Sequence, residues 1–280
     1  MIDLHTHTDR SDGSDPPERI PELAAAAGCT AVAITDHDRL DGIERARARG
    51  DELGVRVIGG CELSVGSDAG PLHLLAYFVE DGEGPLQAAL SGVQDGRTGR
   101  NRRLAARLAE LGLPASLEEI EAEAGGGGVG RPHVAAVLVR KGVVASVQEA
   151  FDVWLAAGRP AYVERPRLTL PEATAAIHAS GGVAVVAHPF TIRPDAAELE
   201  EAVATMAAQG VDGLEALYGR YTPEERGTLA GLATRHGLAV TGGSDYHGRY
   251  KPDLQVGTGR GDLAVPDHVL DDLEARRRSN

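Results

Sequence analysis

Hydrophobic positions along the chain fall into short apolar runs separated by longer amphipathic stretches. The runs lie at 2–4, 30–35, 55–62, 72–79, 183–187, 213–217 and 238–241. The clearest, Thr30-Ala31-Val32-Ala33-Ile34-Thr35, is continuous rather than alternating, as a strand buried on both faces should be. Helical patterning follows most of them. Pro16-Pro17-Glu18 opens a helix to about Ala27, with Asp15 as its N-cap and Gly28 as its stop. Further helices are predicted at 40–53, 171–180, 195–209, 223–236 and 265–277. From Pro85 to about Gly158 the strands disappear. There, 97–111 is amphipathic and Arg-rich, 117–124 is acidic, Gly125 to Gly128 reads as a flexible break, and helices follow at 131–140 and 147–156.

Strand followed by helix, repeated, argues for a parallel sheet. Roughly seven strands in about 200 residues suit a distorted (β/α)7 barrel of the TIM type, interrupted by a small helical insert. The boundaries expected are 1–84 for the first part of the barrel, 85–170 for the insert and 171–280 for the second part. An open doubly wound sheet is the alternative. Against it, no predicted strand is followed by a glycine-rich phosphate loop.

Composition sharpens this picture in a few places. Aromatic residues make up 4% of the chain, so its core must rest on Ala, Val, Leu and Ile. The 36 Gly suit tight turns and close helix–sheet contacts, or reflect a GC-rich genome. A net charge of −14 argues against a long nucleic-acid partner, although bound metal ions would reverse the sign inside a nucleotide pocket. Cys29 and Cys61 are too few for a disulfide framework. No apolar run approaches the ~20 residues of a membrane span, and a strand starting at residue 2 leaves no room for a signal peptide. The expectation is a soluble, cytoplasmic protein with no membrane partner; the sequence carries no signal for oligomeric state.

Candidate chemistry gathers at the strand ends. His5 and His7 close the first strand, where side chains two apart share a face, and a short loop can return Asp12 to them. Asp36, His37 and Asp38 follow the second strand, Glu62 ends the third, His188 follows the 183–187 run, and Asp245 and His247 follow the last. In a barrel these C-terminal ends meet on one face. Imidazoles and carboxylates together are ligands for divalent transition metals. His73 begins its strand, so a buried structural role is its alternative. His178, His236 and His268 lie in or beside helices and read as solvated surface residues.

The stretches Asp3-Leu4-His5-Thr6-His7, Ser11-Asp12-Gly13-Ser14, Thr35-Asp36-His37-Asp38, Gly60-Cys61-Glu62, His73, Ala187-His188-Pro189 and Gly243-Ser244-Asp245-Tyr246-His247 resemble the PHP (polymerase and histidinol phosphatase) family of metal-dependent phosphoesterases. The resemblance covers residues 1–80 and 180–250 and leaves the insert outside. It implies two or three divalent metal ions, with manganese favoured over zinc or iron. His5, His7 and Asp245 would hold the first, and Glu62 would bridge it to a second held by His73 and His188. Asp12, His37 and His247 would hold the third. Asp36 and Asp38 would stand behind the ligands, accepting a ring N–H from one of them; for Asp38, capping the following helix is the alternative.

The implied reaction is phosphomonoester hydrolysis by a metal-activated hydroxide, with no protein nucleophile. No G-x-S-x-G elbow and no Cys–His pair is available to supply one. Arg131-Pro132-His133 in the insert could bring cationic donors over the metals, so Arg131 and His133 are candidate substrate-binding residues. Alternatively, Arg131 is a surface charge and Pro132 simply opens a helix. A short core split by an insert carrying Arg-Pro-His looks like the branch of the family acting on nucleotides. It implies a small phosphorylated substrate: a nucleoside 3′,5′-bisphosphate, AMP, or short RNA degraded 5′ to 3′. Three rivals stand beside this reading. They are a histidinol-phosphate phosphatase, an amidohydrolase (which would need a bridging Lys after a strand) and a non-catalytic module stabilised by its metals.

Overall fold

The computed structural model describes residues 1–67, 70–125, 129–164, 167–193 and 195–277. Its strands are β1 (Ile2–Asp3), β2 (Ala31–Ile34), β3 (Arg56–Ser67), β4 (Gly70–Tyr77), β5 (Leu168–Thr169), β6 (Val183–Val186), β7 (Gly213–Tyr218) and β8 (Ala239–Gly243). The helices are α1 (Arg19–Ala26), α2 (Ile43–Leu53), α3 (Pro85–Glu110), α4 (Leu117–Glu123), α5 (Arg131–Arg140), α6 (Val147–Ala150), α7 (Leu170–Ala179), α8 (Ala196–Ala208), α9 (Pro223–Arg235) and α10 (His268–Glu274).

The strands run β1-β2-β3-β4-β6-β7-β8, with β5 added beside β3. Past its ends the sheet nearly closes: the Leu4 N–H donates to the Gly242 carbonyl and the Asp245 N–H to the His5 carbonyl. This is a mixed α/β, barrel-like fold. The pairs β1–β2, β2–β3, β6–β7 and β7–β8 are parallel, as strand–helix alternation predicts. β4 departs from that expectation, pairing antiparallel with both β3 and β6. The physical reason is the connection. β3 continues well past Glu62 to Ser67 and β4 begins at Gly70, too short a link for the crossover that parallel strands need.

Strand residues bury alternately on two sides. Ile2, Ala31, Ala33, Val183 and Val185 pack in one cluster with Val269, Leu270 and Leu273 of α10. Val32, Ile34, Ala184, Val186 and Leu214 pack in another against α1, α2, α7, α8 and α9. Strands buried on both faces leave no polar side to alternate with, which is why the runs are continuous. Thr169–Glu172 and Thr222–Glu225 form capping boxes that start α7 and α9, each with Pro in the first turn.

A third cluster, from Leu104 to Ala161, belongs to the helical segment alone. α3 joins the two parts: Leu86 and Leu90 pack in the barrel's core, and Leu104 and Leu108 in the segment's own. α6 runs into a π-helical turn at Phe151–Leu155. The glycine break predicted before α5 lies, at 126–128, outside the described residues. No helix among the described residues is long and apolar enough to cross a membrane.

Four helix starts differ from the sequence expectation. α1 begins at Arg19 rather than at Pro16, α2 at Ile43 rather than at Leu40, α3 at Pro85 rather than near 97, and α10 at His268 rather than at Val265. Asp15 does not cap α1; its carboxylate accepts from the Tyr246 hydroxyl at 2.8 Å, tying the 9–15 loop to the loop after β8. Asp38 does not cap α2, whose N-cap is Gly42.

Candidate metal centre

β1 ends against β2 and β8, and its next residues build the site. Thr6 turns away from its neighbours. Its hydroxyl donates to the Ala33 carbonyl at 2.6 Å and its N–H to Thr35 Oγ1 at 3.1 Å. His5 and His7, two apart, point together into the mouth of the barrel and are fully buried. The buried Asp3 carboxylate pins the seam from below, accepting from the N–H groups of His5, Ser244 and Gly257.

Glu62 is the hub. Its Oε2 lies 3.3 Å from His5 Nε2, 3.1 Å from His7 Nε2 and 3.4 Å from His37 Nδ1. Its Oε1 lies 2.8 Å from His73 Nδ1 and 3.0 Å from His188 Nε2. Asp245 Oδ1 stands 3.5 Å from both His5 Nε2 and His7 Nε2. Asp12 faces the other side of the cluster, with His247 Nε2 at 3.4 Å, His37 Nε2 at 3.7 Å and His7 Nδ1 at 3.7 Å.

All nine sequence candidates thus converge. Three sets have ligand atoms within 4.8 Å of one another: His5, His7, Glu62 and Asp245; His7, Asp12, His37 and His247; and His37, Glu62 and His73. His73 reaches the centre because β4 is antiparallel, so the start of that strand lies at the same end of the barrel as the parallel strands' C-termini.

The backbone is bent to present these groups. His188 and Asp245 hold positive φ, +28° and +57°, which non-glycine residues adopt only where the surroundings enforce it. A Cβ on Gly243 would lie 2.4 Å from the His5 N–H nitrogen, and one on Gly13 would lie 2.5 Å from the His7 carbonyl oxygen. Only glycine lets β8 and the Asp12 loop come that close.

Behind the ligands stand residues that sequence reasoning did not single out. Glu215, fully buried in β7, accepts from His5 Nδ1 at 2.9 Å and from the His188 N–H at 2.8 Å. Its signal was available: a lone carboxylate inside the apolar run Gly213-Leu214-Glu215-Ala216-Leu217. The far oxygen of Asp245, Oδ2, accepts from the Tyr218 hydroxyl at 2.8 Å and from Lys251 Nζ. Asp36 behaves otherwise than expected. It accepts from the Thr8 N–H, the Thr8 hydroxyl and the Ser11 hydroxyl rather than from an imidazole, and so shapes the loop that carries Asp12. Asp38 is buried at φ +56°; its N–H donates to the Glu62 carbonyl and its own carbonyl accepts from Gln94 Nε2.

The donor set fits divalent cations. His7 Nδ1 and His37 Nδ1 are buried with no hydrogen-bond partner, which is costly unless another ligand completes them. Burial pushes the His37 imidazole down to about 3, and burial with Lys251 nearby pushes His247 down to about 4, so both are neutral with lone pairs to offer. Burial opposes a charge on His7 as well, yet hydrogen bonds to Asp245 and Glu62 hold it up at about 9. Burial likewise works against the Asp245 carboxylate, but Lys251, His247 and His5 hold it well below the usual range. The carboxylates therefore favour positive charge at this spot, which metal ions supply.

Beside the centre opens a cavity of about 580 Å³ between barrel and helical segment. Asp12, His37, His73 and His247 form part of its floor. Arg100, Arg131, Arg167, Arg220, Arg249 and Lys251 line it, together with Phe151, Tyr162 and Tyr250. Arg131 donates to the Leu155 carbonyl, and its guanidinium lies over the Phe151 and Tyr162 rings. His133 does not reach the cavity. Its Nδ1 accepts from the Gly130 N–H at 3.0 Å, and its ring packs edge-on against Tyr250. Cys29 and Cys61 are buried, and burial raises both thiols, Cys29 to about 11. Of the three outlying histidines, His268 is exposed, but His178 is mostly buried against Asp212, 2.6 Å away.

A model of the PHP domain matches residues 3–115. Over 276 residues the chain is 30% identical to a 3′,5′-nucleoside bisphosphate phosphatase of Chromobacterium violaceum, covering 98% of this chain and 97% of that one. Over 249 residues it is 34% identical to the 5′-3′ exoribonuclease Rnm of Escherichia coli, covering 88% and 85%. A solved structure from Bifidobacterium adolescentis, assigned to the metal-dependent phosphoesterases, superposes with a TM-score of 0.86 at 30% identity, covering 99% of this chain and 96% of that one.

Proposed function

The chain belongs to the PHP family and is a metal-dependent phosphoesterase; from that premise we propose that it hydrolyses phosphomonoesters of small nucleotides, foremost the 3′-phosphate of a nucleoside 3′,5′-bisphosphate. The observation that carries this reading is the cavity over the centre. A substrate with a single phosphate needs cationic contacts for that phosphate only. Here six cationic side chains and three aromatic rings surround a space of nucleotide size. Arginine forks suit a second phosphate that is not cleaved, and the rings suit a base. Histidinol phosphate, with one phosphate and no nucleobase, would leave most of that lining unused.

In this reading His5, His7, Glu62 and Asp245 hold one divalent ion, Glu62, His73 and His188 a second, and Asp12, His37 and His247 a third. Manganese suits this mixture of imidazole and carboxylate, as zinc or iron would. When bound, such ions activate a water for attack on phosphorus and neutralise phosphate oxygens. Glu215 keeps the His5 proton on Nδ1, so that Nε2 offers its lone pair. Tyr218 and Lys251 hold Asp245 so that Oδ1 faces His5 and His7. Arg131 and Arg167, steadied by Tyr162, serve the non-reacting phosphate. His133 supports that wall through Tyr250. The helical segment, residues 85–170, acts as a substrate cap.

The likeness to an exoribonuclease favours a second activity on short oligonucleotides, since the same lining would take a 5′-terminal nucleotide. The test is phosphate release with manganese from adenosine 3′,5′-bisphosphate, AMP, histidinol phosphate and a short 5′-phosphorylated RNA. Preference for the bisphosphate is expected; the RNA, whose cleavage yields nucleotides rather than phosphate, is followed by chromatography. Turnover of histidinol phosphate alone refutes the nucleotide reading, and release from none of them favours a non-catalytic module.

A further inference from the structure

Lys251 is one of only two lysines among 28 basic residues, and it stands at the centre's edge. Asp245 divides its two oxygens: Oδ1 faces His5 and His7, while Oδ2 takes the Tyr218 hydroxyl and Lys251 Nζ. The two donors differ in position. Tyr218 is buried and does not line the cavity, whereas Lys251 lines it and is partly exposed. The nearby cations Arg220 and Arg249 donate to Asp253 and Glu123 instead. Among the described residues, Lys251 is thus the cavity cation that also touches a carboxylate of the centre.

We propose that Lys251 joins the centre to the phosphate: its ammonium holds Asp245 by one oxygen and donates a second hydrogen bond to an oxygen of the phosphate bound there. The inference rests on the proposed phosphoesterase site but not on which phosphoester is cleaved. An ammonium is a point charge with three N–H donors, so it can serve Oδ2 and a ligand at once. An arginine differs in geometry: its planar fork favours paired contacts with both oxygens of one carboxylate, which at Asp245 would draw Oδ1 away from the metal position. That constraint accounts for lysine here in a chain that otherwise uses arginine almost throughout.

The test titrates inorganic phosphate into the full-length, manganese-loaded protein by calorimetry, with manganese affinity measured separately. With manganese saturating, Lys251→Met and Lys251→Gln should bind phosphate about tenfold more weakly, the worth of one charge-assisted hydrogen bond. kcat should fall with them. Lys251→Arg should lose about tenfold in manganese affinity, through bidentate capture of Asp245. Tyr218→Phe, which touches the same oxygen from the buried side, should leave phosphate affinity within about twofold of the parent. Phosphate affinity unchanged in both Lys251→Met and Lys251→Gln overturns the inference, as does parental manganese binding by Lys251→Arg. Failure of the parent to release phosphate from any ester would refute the proposed function instead and leave this titration valid.

Discussion

Replacing Glu215 by Gln changes one atom type in a fully buried side chain, and the geometry says what must follow. Oε2 accepts from the His188 backbone N–H at 2.8 Å, a donor that cannot be reversed. The Gln amide oxygen must therefore face His188, which turns its NH₂ toward His5 Nδ1, where a carboxylate oxygen stood at 2.9 Å. Two donors cannot face each other, so His5 must move its proton to Nε2. That nitrogen is the one directed at Glu62, His7 and Asp245. The substitution thus removes a metal lone pair without touching a ligand. Loss of such an outer partner costs about 10- to 100-fold in metal affinity or activity, or ~1.4–2.7 kcal/mol at 1.36 kcal/mol per factor of ten. A charge-assisted hydrogen bond of ~1.5–3 kcal/mol gives the same scale. The assay is manganese binding by calorimetry or electron paramagnetic resonance, with circular dichroism to confirm the fold. Phosphate release titrated with manganese should show the deficit shrinking as metal is raised. If Glu215→Gln binds manganese within about twofold of the parent, the tautomer argument is wrong.

Three further outcomes test other parts of the reasoning. Asp245→Asn should abolish turnover while keeping the fold, because Asn tolerates the positive φ at that position; activity near the parent's would remove Asp245 from the centre. Dialysis against a chelator should lower Tm, and manganese at 100 times its Kd should return about 2.7 kcal/mol of stability; a Tm indifferent to metal would contradict the fit of the donor set. His178→Ala should cost about 1 kcal/mol by removing one of the two donors to Asp212 Oδ2, the Ala184 N–H being the other, with kcat unchanged, read by thermal unfolding and phosphate release.

Much of the centre was legible in the order of residues. Strand ends on a barrel share one face, so apolar runs ending in His, Asp or Glu announce where the ligands will meet. That reasoning covered His5, His7, Asp12, His37, Glu62, His188, Asp245 and His247, all of which converge. His73 is not announced in the same way, because it begins an apolar run and the direction of a strand is not written in its composition. Asp36 shows the opposite case: it stands beside the ligands in sequence, yet its hydrogen bonds go to Thr8 and Ser11. His178 looked solvated on its helix, but Asp212 closes over it from 34 residues away.

The sequence by itself determined the alternation of strands and helices, the helical interruption and the residue types that can hold metal ions. Each of these is local: burial period, capping and ligand chemistry act over a few residues. Tertiary structure alone decided which groups touch. The short link between β3 and β4 reverses one strand and carries His73 to the barrel mouth. Glu215 meets His5 across 210 residues, Lys251 settles on one oxygen of Asp245, and the cavity lies between the barrel and a segment with its own core. Those contacts depend on how the chain packs back on itself, a global balance of burial and hydrogen bonding that no short window of sequence contains.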